Sequence, residues 1–110
     1  MFTMNTFAKG TKFNFVNSIA YADSEIVSKQ VVKNEKGNVP LFAFAQGESL
    51  SEHTAPFDAM VQVIDGEATI VIDGKNHLLE TGESIIMPAH ISHAVLATKA
   101  FKMILTMIKA

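Results

Sequence analysis

Three features of this 110-residue chain predict an all-β fold. Apolar residues recur with period two, Asp-Gly pairs stand between β-branched runs, and no stretch carries a convincing helical period. Many short strands joined by tight turns leave many edges to protect, so an antiparallel sandwich or barrel is the expected architecture.

The elements follow in order. The period is two from about Phe13 onward, and the run IVSKQVV at 26–32 reads as a strand. NEKGN at 34–38 is a turn. Leu41, Ala43 and Ala45 then alternate with Phe42, Phe44 and Gln46. Val61 and Val63 lie opposite Gln62 and Ile64, and Ala68, Ile70 and Ile72 lie opposite Thr69 and Val71. Asp65-Gly66 and Asp73-Gly74 are each expected to close a hairpin, because a type I′ turn needs positive φ at both central positions. ETGE at 80–83 is a further turn, and SHAVLAT at 92–98 a strand after Pro88. In the last run Phe101, Met103, Leu105 and Met107 share one face, and Lys102, Ile104, Thr106 and Ile108 the other. Both faces are largely apolar, so cover is expected on both sides.

Composition narrows the function. Apolar residues make up 48% and charged residues 18%, which suits one globular domain with a sizeable core. We expect a single domain over 1–110, with an N-terminal segment and strand at 1–24 and a barrel at 25–110. The net charge is −2, and all nine basic residues are lysine. Lacking the guanidinium fork, the chain is not expected to read nucleic acid. Cysteine is absent, which removes disulfides, thiolate metal sites and a thiol nucleophile. MFTMNTFAKG does not read as a secretory signal and no apolar run is long enough to cross a bilayer, so no membrane is expected and a cytoplasmic location is.

Two histidines carry the chemical interest. His53 lies in GESLSEHTAP, and His93 follows PAHIS. Imidazoles from separate strands can meet inside a sandwich and bind zinc, iron, nickel or copper. Spacing leaves open whether these two share a site or are unrelated polar residues. No phosphate loop, nucleophile elbow or close acid pair is present.

The stretch from Gly47 through His53, Ala55 and Ala59 to Gly66 resembles the first motif of the cupin family, G-x5-H-x-H-x3-E-x6-G. The stretch from Gly82 through Pro88, His90 and His93 to Ala97 resembles the second, G-x5-P-x-G-x2-H-x3-N. Both glycines and the first histidine match in the former; Gly82, Pro88 and His93 match in the latter. The resemblance implies a small single-domain cupin of the RmlC-like, conserved-barrel type. Its fold is an antiparallel double-stranded β-helix, or jelly roll, of six to ten strands opening at one end. It also implies a homodimer in which N-terminal strands pack across sheets.

The family's metal is held by two histidines and a glutamate from the first motif and a histidine from the second. Here Ala55 and Ala59 replace a histidine and the glutamate, so only His53 and His93 carry over as metal ligands. A divalent transition metal (Fe, Zn, Ni, Mn or Cu) is expected to be weakly bound or absent. Gln62 and His90 are candidate additional ligands or polar pocket groups, although the strand phase of Gln62 is opposite to that of His53. Ala55, Ala59, Val61 and Met87 are the expected pocket lining. Two functions are expected: a small-molecule-binding or sensory cupin with a degenerate metal site, or a metal-dependent dioxygenase or isomerase acting on a small organic substrate. The first is preferred, because the usual iron arrangement needs the missing carboxylate.

Overall fold

The computed structural model describes residues 6–109. Eight antiparallel strands follow a single 3-10 turn at Val16–Ser18: β1 (Ile26–Asn34), β2 (Gly37–Phe44), β3 (Ser49–His53), β4 (Ala59–Ile72), β5 (Lys75–Glu80), β6 (Ser84–Met87), β7 (His93–Leu96) and β8 (Phe101–Ile108). No helix among the described residues is long and apolar enough to cross a membrane.

β4 holds the two halves of the fold together. Its first half, from Ala59 to Gly66, lies between β6 and β8, in the sheet that continues through β2 to β1. Its second half, from Glu67 to Ile72, lies between β5 and β7, with β3 beyond β7. The crossing falls at Asp65-Gly66, which was expected to be a hairpin. It is instead a bulge inside one continuous strand, where the register against β8 shifts between Val63 and Asp65. Only Gly66 has positive φ, at 83°, whereas a type I′ turn needs two such residues in succession. Asp73-Gly74, with φ of 51° and 76°, meets that requirement and joins β4 to β5.

A barrel built this way has one dominant core. Phe44, Val61, Val63, Ile70, Val95, Phe101 and Met103 fill it and are essentially inaccessible. Phe44 and Phe101 stack at 4.6 Å. The inward face of β8 is the one expected, with Leu105 and Met107 packed against the same cluster.

Ile104 points the other way, into a second cluster with Ile19, Val31, Leu41 and Ala43, and Phe7 and Phe15 pack against it. The segment before β1 therefore covers the outer face of β1, β2 and β8, which accounts for the doubly apolar C-terminal strand. The strand expected within 1–24 does not form among its described residues. The segment binds through the side chains of Phe7, Phe15 and Ile19, the Lys29 and Lys102 ammonium groups on its Ser18 and Val16 carbonyls, and a backbone bond from the Phe7 amide to the Val31 carbonyl. Lys102 is buried and its Nζ donates to the Val16 carbonyl at 2.6 Å, while the Tyr21 hydroxyl donates to Asp65 Oδ2 at 2.5 Å.

Candidate functional site

His53 ends β3 and His93 begins β7, and the two are direct cross-strand partners. Partners in an antiparallel pair project from the same face, so both rings enter the barrel from one wall. A register shift between Leu50 and His53 sets this phase at the end of β3. His93 is 4% exposed, whereas His53 sits at the accessible rim. The ring centroids are 4.3 Å apart at 69°, and Nε2 of one ring lies 3.1 Å from Nε2 of the other.

The outer ring nitrogens decide what this contact means. His53 Nδ1 lies 2.8 Å from the Ser51 carbonyl and His93 Nδ1 lies 3.2 Å from the Ile91 carbonyl. A carbonyl only accepts, so each Nδ1 carries the proton and donates it. In the neutral rings both Nε2 atoms are then bare, and two lone pairs face one another across 3.1 Å. One electrophile placed between them, a proton or a metal cation, satisfies both. A second proton is opposed: burial pushes the His93 imidazole below its ordinary 6.5, the Ile91 carbonyl acts the other way, and charge on His53 lowers it again.

Behind the pair lies a cavity of about 230 Å³. Its other lining residues are all apolar: Leu50 and Val95 from the histidines' own strand pair, Ala55 and Phe57 from the loop after β3, and Ala59, Met87, Met103, Leu105 and Met107 from the neighbouring strands β4, β6 and β8. Two hydrogen bonds clasp the loops at its mouth. The His90 amide donates to the Ala55 carbonyl at 2.7 Å, and the Ala89 amide donates to Asp58 Oδ1 at 2.8 Å.

A family model for the cupin domain matches residues 40–109. The chain belongs to the cupin family. This cupin is 28% identical to a conserved protein of unknown function from Streptococcus pyogenes, with a TM-score of 0.91 over 100% of this chain and 96% of that one. It is 43% identical to a cupin 2 conserved barrel domain protein from Leptotrichia buccalis, with a TM-score of 0.85, over 88% of this chain and 47% of that one. The chain thus spans about half the length of the Leptotrichia protein. A cupin superfamily protein from Desulfitobacterium hafniense superposes at a TM-score of 0.89 and 24% identity, over 98% of this chain and 99% of that one. Comparison with curated proteins finds no match.

The expected site residues of this cupin divide by position. His53, His93, Ala55, Ala59 and Met87 line the cavity. Val61 does not; it is fully buried in the core cluster. Gln62 also stays outside the lining, because its backbone pairs with Ser84 and Ile104 in the phase opposite to Ala59. His90 is exposed with φ of 64°, so this residue adopts the left-handed conformation that the motif's glycine would take. The lining residues Leu50, Phe57, Val95 and Leu105 had not been expected there. Phe57 lies in a loop, and the bulge before His53 hides Leu50 from a count of two.

The separation of the imidazoles tests whether a metal fits. With metal–nitrogen bonds of about 2.0–2.1 Å, adjacent ligands of a tetrahedral or octahedral ion lie roughly 2.9–3.4 Å apart. The observed 3.1 Å falls within that range. The family's complete ligand set does not fit, because methyl groups stand at Ala55 and Ala59. Among the described residues no group of three or more His, Cys, Asp or Glu side chains is placed to hold an ion.

Proposed function

We propose that this cupin is a binding protein whose barrel takes a small, largely apolar molecule, with a polar end directed at the His53–His93 edge. The observation that carries the reading is the lining: nine apolar residues and two imidazoles enclose about 230 Å³. An apolar cavity of about 150 Å³ accepts benzene, so the ligand here is modestly larger than a single aromatic ring. The absence of any carboxylate, amide or hydroxyl side chain from the lining favours a ligand with few polar groups.

A weakly held divalent metal at the two Nε2 atoms is compatible with this role. The alternative, a metal-dependent dioxygenase or isomerase, is favoured by the convergence of the imidazoles. It is weakened by the lack of a charge-neutralising carboxylate. We also propose that two copies pair through the outer face of β4, β6 and β8, where Ile86 and Ile108 are 59% and 67% exposed beside Met60 and Phe57.

Calorimetric titration with a panel of small aromatic and branched aliphatic compounds tests the binding reading. Micromolar binding that Ala55→Phe weakens at least about tenfold, by filling the cavity, is the expected result. Binding unaffected by Ala55→Phe would place the ligand elsewhere and overturn it.

A further inference from the structure

The slot left by the missing glutamate has neighbours of one chemical kind. Ala59 pairs with Met87 on β6 and with Met107 on β8. Cross-strand partners share a face, and all three residues line the cavity that holds the two imidazoles. Met103 lines it too, so three of the chain's six methionines meet there. The potential donors among the lining residues are therefore imidazole nitrogens and thioether sulfurs, with no side-chain oxygen.

This set discriminates between cations on two grounds. With no anion in the lining, a cation's charge is uncompensated in an apolar space, and the solvation cost rises with the square of that charge. A monovalent ion is favoured over a divalent one. Thioether is a soft ligand, suited to Cu(I) rather than to Fe(II), Mn(II) or Zn(II). The imidazole geometry then asks for a third donor. A linear two-coordinate ion needs nitrogens about 4 Å apart at ordinary bond lengths, and these lie at 3.1 Å.

We propose that the cavity is a copper(I) site formed by Nε2 of His53, Nε2 of His93 and one thioether of the Met87–Met107 pair. The proposal rests on the histidine pair being a cation site and goes beyond the binding role to the identity of the ion. Leucine in place of methionine removes the sulfur while keeping side-chain volume, so the Met87→Leu/Met107→Leu protein is expected to fold.

The test uses metal-free, untagged protein under anaerobic conditions with a reductant present, titrated with Cu(I) against bicinchoninate. One Cu(I) per chain is expected, lost on His53→Ala and bound at least about 100-fold more tightly than Zn(II) or Fe(II). X-ray absorption is expected to show two nitrogens and one sulfur near 2.3 Å. In the double leucine variant the sulfur signal disappears and affinity falls at least about tenfold. Zn(II) binding as tight as Cu(I), a nitrogen- and oxygen-only spectrum, or affinity indifferent to the double variant overturns the copper site. Failure of every metal to bind, with apolar compounds still taken up, overturns it as well and leaves the binding role standing.

Discussion

Nε2 of His53 faces Nε2 of His93 at 3.1 Å while both Nδ1 atoms are committed to backbone carbonyls. The backbone thus fixes the tautomers and leaves two acceptors opposed, an arrangement that holds one positive species and resists two. Every other residue lining the cavity is apolar, so polar recognition there falls to this pair.

Acid should destabilise the metal-free protein through His93. Its proton affinity is lowered in the fold from 6.5, chiefly by burial, so the unfolded chain binds more protons there as pH falls. This contribution is complete above about 6.5 and is lost as pH falls through the folded value. Melting temperatures measured in chelator from pH 8 to 5 should fall more steeply in the natural protein than in His93→Gln. Parallel curves would contradict the assignment.

Restoring the family's ligands should trade stability for metal. Ala59 is 4% exposed, so a glutamate there is an uncompensated buried charge costing about 3 kcal/mol when no metal is bound. Ala55→His/Ala59→Glu should therefore melt lower in chelator. With Zn(II) it should recover, and its affinity for the ion should exceed the natural protein's at least about tenfold. A double variant that gains neither affinity nor metal-dependent stability would mean that the slots do not converge on the pair.

The motif glycines should differ sharply in tolerance. A Cβ on Gly66 would lie 2.0 Å from the Ala100 carbonyl oxygen, in a backbone that already has φ of +83°. Gly66→Ala should cost on the order of 4 kcal/mol or prevent folding. At Gly82, with φ of +93° but nothing within 4 Å, the same change should cost about 1–2 kcal/mol. Urea denaturation separates the two, and equal losses would contradict the role given to the bulge.

The exposed outer face should hold two copies together. Sedimentation velocity should give twice the chain mass for the natural protein and a single chain mass for Ile86→Lys/Ile108→Lys, since lysines desolvated at such a face are costly. A dimer that survives both lysines would place the interface elsewhere.

The sequence made the strands legible because burial imposes period two, and the inward face of β8 follows from that directly. Asp65-Gly66 was misleading, since one dipeptide suits both a hairpin turn and a glycine bulge. Only long-range pairing of β4 with β8 distinguishes them. At the site, the spacing of His53 and His93 from their motif glycines marked the pair, but a one-dimensional pattern carries no distance between strands. Val61 was expected at the cavity because it shares phase with Ala59, yet it is fully buried and outside the lining, while its cross-strand partner Leu105 takes part in it. Gln62 shows the reverse, as its phase correctly argued for the outer face.

The most direct test is nitrogen-15 NMR of the histidine side chains in metal-free protein, before and after one equivalent of a diamagnetic metal ion. Protonated Nδ1 and non-donating or proton-sharing Nε2 are expected in both His53 and His93. The two Nε2 resonances are also expected to shift together as the ion is added. Nε2–H tautomers in either ring, or resonances that respond independently, would contradict the opposed arrangement.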